Sequence, residues 1–115
     1  MLSMSKFQGK IALITGSGTG IGKAIATKFV ENGASVVILG RRKEPLEEAA
    51  KGLEEIISQN NSGASVRIFA GVDVADESAM TEMFEVLKNE NINLDYVINN
   101  AGVSGPVTCF ANAPL

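Results

Sequence analysis

Apolar residues along this chain follow two rhythms. Short unbroken runs alternate with longer stretches in which apolar positions recur every three or four residues. Ile11-Ala12-Leu13-Ile14, between Lys10 and Thr15, is an unbroken run. It predicts a strand of a parallel sheet covered on both faces, because a half-exposed strand would alternate apolar with polar. A glycine-rich turn follows, then a helix over 20–32 with Ile25, Ala26, Phe29 and Val30 as its stripe and Gly33 as its stop. Ser35-Val36-Val37-Ile38-Leu39 predicts a second buried strand. Leu46, Ala49, Ala50, Leu53, Ile56 and Ile57 form one face of a helix over 45–59, with Pro45 suited to its first turn. After a polar loop at 60–63 comes a third strand, Val66-Arg67-Ile68-Phe69-Ala70, whose arginine points to an edge position. Asp76 is placed to cap a third helix with Met80, Met83, Phe84 and Leu87 on its face. Residues 94–98 predict a fourth strand, closed by Asn99-Asn100-Ala101-Gly102.

The resulting β-α-β-α-β-α-β order belongs to the α/β class, with a parallel sheet and right-handed crossovers. A Rossmann-type doubly wound sheet would place the strands in the order 3-2-1-4. A flavodoxin-like order is left open by the pattern alone. At 115 residues the chain is expected to hold part of a single domain and no second one.

Composition narrows the chemistry. Hydrophobic residues at 45% and charged residues at 20% are those of a globular domain, which argues against disorder. A net charge of −3 lacks the basic footprint of a nucleic-acid binder. With no histidine, imidazole general-base chemistry, His–metal sites and Ser-His-Asp triads are excluded within these residues, and no metal site is expected. Cys109 is the single cysteine, so no internal disulfide can form. A reducing, cytoplasmic setting is expected, since residues 1–6 lack the apolar core of a signal peptide. No apolar run approaches the ~18 residues of a membrane span. Asn60-Asn61-Ser62 matches a glycosylation sequon but reads as a polar loop in such a chain.

The residues with the most chemical content lie between the first strand and the first helix. Thr15-Gly16-Ser17-Gly18-Thr19-Gly20-Ile21-Gly22 places four glycines in eight positions. A helix start offers backbone N–H groups without intrahelical acceptors and about half a positive charge. A pyrophosphate needs both, together with residues lacking side chains that would block its approach. The strict G-x-G-x-x-G spacing fails here, because Ile21 or Lys23 stands where the third glycine should be. The spacing that holds is Gly16-x-x-x-Gly20-x-Gly22.

With Thr15 in front, that spacing resembles the T-G-x-x-x-G-I-G signature of short-chain dehydrogenases/reductases. Asn99-Asn100-Ala101-Gly102 matches the family's N-N-A-G, Asp73-Val74 falls at its adenine-contacting acid, and Phe7-Gln8-Gly9-Lys10 resembles its lead-in to the first strand. The resemblance covers nearly the whole chain but only about the N-terminal half of a typical member, so the Rossmann fold is expected in truncated form. It implies that Gly16, Ser17, Gly20, Ile21 and Gly22 line the pyrophosphate and nicotinamide end of a dinucleotide. It implies too that Asp73 and Val74 meet the adenine, and that Asn99, Ala101 and Gly102 lie along the nicotinamide ribose.

The end of the second strand bears on which dinucleotide. A carboxylate there would accept from the ribose 2′-OH and select NAD. This chain has Gly40 followed by Arg41 and Arg42, and arginine suits a 2′-phosphate. The expected cofactor is NADP(H) in preference to NAD, read mainly by Arg41 with Arg42 or Ser17 assisting. The alternative is a solvated cluster, Arg41-Arg42-Lys43, paired with Glu44 or Glu47.

The resemblance implies an oxidoreductase that moves a hydride between nicotinamide and a small carbonyl or alcohol substrate. Its Ser, Tyr and Lys are not found here. Tyr96 is the only tyrosine, and Asn100 rather than lysine stands four residues on. No catalytic residue is therefore assigned, the chain alone is expected to be inactive, and Ser104, Thr108 and Cys109 are read as loop or packing residues. The alternative is a catalytically inactive nucleotide-binding module. A methyltransferase-type Rossmann protein fits less well, because it would want an acid where Arg41 stands. A fourth strand with one unpaired edge is expected to make the monomer marginal, and to favour homo-oligomer formation through that edge or within a longer protein.

Overall fold

The computed structural model describes residues 6–16 and 20–100 together with the backbone of 108–111. Its elements are β1 (Ile11–Thr15), α1 (Gly20–Glu31), β2 (Ser35–Gly40), α2 (Lys43–Asn60), β3 (Val66–Ala70), α3 (Glu77–Asn89), β4 (Tyr96–Asn99) and β5 (Thr108–Ala111). They form one sheet in the order β3-β2-β1-β4-β5. The first four strands are parallel, in the 3-2-1-4 order of a Rossmann sheet, which removes the flavodoxin-like alternative.

Two expectations at the far edge are overturned. β5 pairs antiparallel with β4, with Tyr96 opposite Ala111, Val97 opposite Phe110, Ile98 opposite Cys109 and Asn99 opposite Thr108. The chain thus returns on itself and supplies the hydrogen-bonding edge that β4 would otherwise present. The β4 edge is not open for pairing with a second copy, and Thr108 belongs to a strand rather than a loop.

Alternation along each strand sorts the core into two layers. Ala12, Ile14, Val36, Ile38 and Ile98 pack with Ala26 and Val30 of α1 and with Leu46, Ala49, Ala50 and Leu53 of α2. Leu13, Val37 and Leu39 point the other way, onto Met83 and Leu87 of α3. All these strand residues are nearly or fully buried, which explains why the runs contain no polar position.

Local chemistry sets the boundaries. α1 ends in a Schellman arrangement: Ala34 N–H donates to Phe29 C=O and Gly33 N–H to Val30 C=O, with Gly33 at φ 94°. α2 begins at Lys43, two residues before the expected start, so Pro45 still lies in the turn where its missing N–H has no acceptor. α2 also continues to Asn60, and Asn61 closes it in the left-handed region at φ 53°. Asn60 Nδ2 donates to Val30 C=O at 3.1 Å, so the sequon asparagine ties two helix ends together rather than belonging to a free loop. Asp76 caps α3 by accepting from Ala79 N–H at 3.2 Å. β4 begins at Tyr96 instead of Leu94, because the Asp95 carboxylate takes the Ile11 N–H at 2.9 Å before the ladder starts.

Arg67 does lie on an edge strand, but its charge has a partner. It donates to both Glu90 oxygens, at 3.2 and 2.7 Å, and its guanidinium sits 4.7 Å from the Phe69 ring centre. A bidentate pair of this kind pins the end of α3 to the sheet.

The approach of α1 to β1 depends on one glycine. A Cβ on Gly22 would fall on the Gly16 carbonyl and within 2.8 Å of Asn100 Nδ2. Backbone cannot yield as a side-chain tip can, so Gly22→Ala is expected to destabilise by about 1–3 kcal/mol. Gly52, inside α2, has no atom within 4 Å of a built Cβ. There Gly52→Ala removes a helix-interior glycine and is expected to stabilise by about 0.5–1 kcal/mol. Urea unfolding of the two variants checks the opposite signs.

Candidate functional site

Parallel strands bring all their carboxyl ends to one edge of the sheet. Thr15, Gly40, Ala70 and Asn99 close β1, β2, β3 and β4 there. The strand order reverses at β1, since β2 lies on one side of it and β4 on the other. In open α/β sheets the crevice for a ligand forms at such a reversal, because the loops leaving the two neighbouring strands turn to opposite faces.

Thr15 holds this point together. Its side chain is buried, and its hydroxyl accepts from Asn100 N–H at 2.7 Å. The hydroxyl proton faces Asn99 Oδ1 at 3.3 Å and Ile98 C=O at 3.5 Å. Asn100 Nδ2 in turn reaches Gly16 C=O at 3.5 Å. The turn after β1 is thereby tied to the exit of β4, and Gly22 brings α1 onto the same carbonyl.

Gly16 and Gly20 both adopt φ 62°, which L side chains rarely take, so the turn has the backbone that its glycines suggest. Among the described residues nothing lies within 4 Å of a Cβ built on Gly20, so none of them blocks the space beside the first turn of α1. Ile21 is 62% exposed beside it, against the rule that large apolar side chains are buried. An open, glycine-walled helix start fits a phosphate group.

At the end of β2, Gly40 has an unstrained backbone, and a Cβ there would stand 3.7–3.8 Å from Leu46 carbons, an ordinary contact. Packing therefore does not require a glycine. Arg41 and Arg42 are exposed, and neither has an ion-pair partner among the described residues. Lys43 is paired with Glu47, at 3.7 Å. Of the alternative reading, a solvated basic cluster paired with Glu44 or Glu47, the pairing is present for the lysine, while Arg41 and Arg42 are solvated without it. Arg42 occupies the N-cap of α2 without capping it through its side chain.

Beyond β3, Asp73 is exposed and its Oδ1 accepts from Ala75 N–H at 2.9 Å, so one of its oxygens shapes the turn. Val74 packs its side chain partly into the α3 layer, leaving its backbone on the sheet edge. Val72 N–H donates to Gly40 C=O at 3.1 Å and links this turn to the arginines. Sequence reading used Thr15 and Asn100 as motif letters without assigning a bond between them, and gave no weight to Asp95, whose only signal was its position before an apolar run. Ser17, Ala101 and Gly102 lie outside the described residues. Tyr96 packs in an aromatic cluster, with ring centres 5.7 Å from Phe7 and 5.5 Å from Phe29. A cleft of about 370 Å³ between α3 and the segment entering β4 lies at the opposite end of β4 from this site.

The short chain dehydrogenase family profile matches residues 10–113. The chain is 39% identical over 99 residues to the NADP-dependent (R)-specific alcohol dehydrogenase of Lentilactobacillus kefiri, an alignment covering 86% of this chain and 36% of that one. Among solved structures, L-sorbose reductase of Gluconobacter frateurii, complexed with NADPH and L-sorbose, superposes with a TM-score of 0.73 at 37% identity. That match covers 86% of this chain and 35% of the reductase. An NAD+-bound xylitol dehydrogenase superposes with a TM-score of 0.74 at 32% identity, over 87% of this chain and 36% of its own. The chain spans little more than a third of the length of these relatives. A turn spaced as Gly16-x-x-x-Gly20-x-Gly22, the bond from Thr15 to Asn100, and a profile match from end to end of the sheet agree: the chain belongs to the short-chain dehydrogenase family.

Proposed function

We propose that this chain binds NADP(H), and that it forms the cofactor-holding part of an oxidoreductase acting on a small carbonyl or alcohol. The pyrophosphate would lie over Gly16, Ser17, Gly20, Ile21 and Gly22, against the unsatisfied N–H groups of α1. Arg41 and Arg42 would take the 2′-phosphate, and Asp73 and the Val74 backbone the adenine. Asn99, Ala101 and Gly102 would border the nicotinamide ribose. When bound, the nicotinamide supplies the hydride. The residues of this chain would bind and orient the dinucleotide, with Thr15 and Asn100 keeping the two flanking loops in register.

The observation that carries the NADP(H) reading is the end of β2. A 2′-phosphate there would meet two arginines free of ion pairs among the described residues and no carboxylate at Gly40. The NADP-dependent relative and the NADPH-complexed reductase support it, while the NAD+-bound dehydrogenase makes a direct test necessary. The 115 residues contain no Tyr-x-x-x-Lys, and the one tyrosine is packed between two phenylalanines. Binding without turnover is therefore the activity proposed for the chain by itself, as part of one Rossmann-type domain.

Calorimetric titration with NADPH and NADH tests this. Arg41→Ala is expected to weaken NADPH by roughly ten- to a hundredfold, the worth of one hydrogen bond to a charged group, and to leave NADH nearly unchanged. Equal weakening of both would discard the role of Arg41. Gly40→Asp, whose Cβ would make only ordinary contact with Leu46, is expected to reverse the preference, through an acceptor for the ribose 2′-OH and repulsion of the phosphate. No substrate-dependent NADPH consumption is expected from the 115-residue chain with any carbonyl compound.

A further inference from the structure

Three basic residues follow Gly40, and they are not in the same state. Arg41 and Arg42 have no ion-pair partner among the described residues, whereas Lys43 is drawn along its own helix to Glu47, one turn later. Side chains of a helix lean toward its N-terminus. Lys43 is the first residue of α2, so an unrestrained ammonium there would extend past the helix start, toward Arg41, Arg42 and the end of β2. The Glu47 carboxylate draws it the other way.

We propose that Glu47 is a specificity-tuning residue: it holds the Lys43 ammonium away from the position of the 2′-phosphate and so limits the preference for NADP(H) over NAD(H). This rests on the NADP(H) reading above. Glu47 would touch neither cofactor nor substrate and would act only through Lys43. Both side chains are more than half exposed, at 69% and 55%, so replacing either leaves the core intact. The restraint is that of an exposed i,i+4 pair, which sets a small but measurable scale of about twofold in affinity.

The experiment is a double-mutant cycle on the 115-residue chain, reading NADPH and NADH dissociation constants by calorimetry, with far-UV circular dichroism confirming the fold of each variant. Glu47→Gln is expected to tighten NADPH about twofold, to leave NADH unchanged and to steepen the salt dependence of NADPH binding. Lys43→Ala alone should change little, because the lysine is already held off. In the Lys43→Ala background, Glu47→Gln should have no effect. An unchanged NADPH/NADH ratio in Glu47→Gln would overturn the proposal. So would the same tightening in the absence of Lys43, which would mean simple removal of a nearby negative charge. Arg41→Ala, measured alongside, separates the two levels. If it weakens NADPH selectively while Glu47→Gln does nothing, the cofactor reading stands and Glu47 has no role. If neither cofactor binds, or Arg41→Ala weakens both alike, both readings fall together.

Discussion

The structure turns on the hydrogen bond from Asn100 N–H to the buried Thr15 hydroxyl. β1 and β4 are parallel neighbours whose exits diverge, and divergence is what opens a crevice at the reversal of a doubly wound sheet. Divergence also ends the β1–β4 register at Ile14 and Ile98, one residue short of either strand's end. A side-chain hydroxyl at the last position of β1 satisfies the first backbone donor beyond β4, and its own proton faces β4 oxygens. The carbonyl of Gly16 then receives Asn100 Nδ2, and no atom of Gly22 intrudes on that carbonyl. The same few residues thus stand at the strand-order reversal and fix the geometry around it.

Strands and helices were legible in the sequence because both sheet faces over β1 and β2 are covered. Burial on both sides makes Ile11 to Ile14 and Val36 to Leu39 read as continuous apolar runs, which no helix period imitates. Topology rules and the edge position suggested by the charge on Arg67 favoured the order 3-2-1-4 but left a flavodoxin-like order open until the pairing of β1 with both β2 and β4 removed it. The reason for that charge was not legible. Its partner, Glu90, is 23 residues away and meets it only because α3 crosses back over β3. β5 was missed for a related reason. Its pairing with β4 is set by a chain reversal rather than by an apolar run followed by a helix, and four residues give periodicity nothing to act on.

The site divides along the same line. Glycine spacing identified the turn, because conformations near φ 60° favour glycine and the preference is local. Arg41 and Arg42 stood out by residue type at the end of a strand. That Lys43 differs from them needed the helix start to be placed at residue 43 and not 45, since only then does Glu47 fall one turn along from it. Thr15 and Asn100 were legible as motif letters and not as a bond, because 85 residues separate them.

This organisation bears on what one portion of such a fold can do. In a parallel sheet every strand delivers its own loop to the ligand edge, so the proposed contacts accumulate in chain order: Gly16 to Gly22 after β1, Arg41 and Arg42 after β2, Asp73 and Val74 after β3, Asn99 after β4. Each contact depends on the packing of its own strand and its nearest neighbours. The loop after β1 depends also on β4, through Thr15. Once β1, β2, β3 and β4 are paired, the surface proposed to bind the dinucleotide has its supports, whichever residues complete the chemistry. On the proposed reading, recognition of cofactor and reaction of substrate would be physically separate: the first would rest on the four-strand block, and the second would need an acid at the far end of the bound dinucleotide. Tyr96 cannot be that acid, because its ring is committed to Phe7 and Phe29 at the start of β4, a strand's length from the ligand edge.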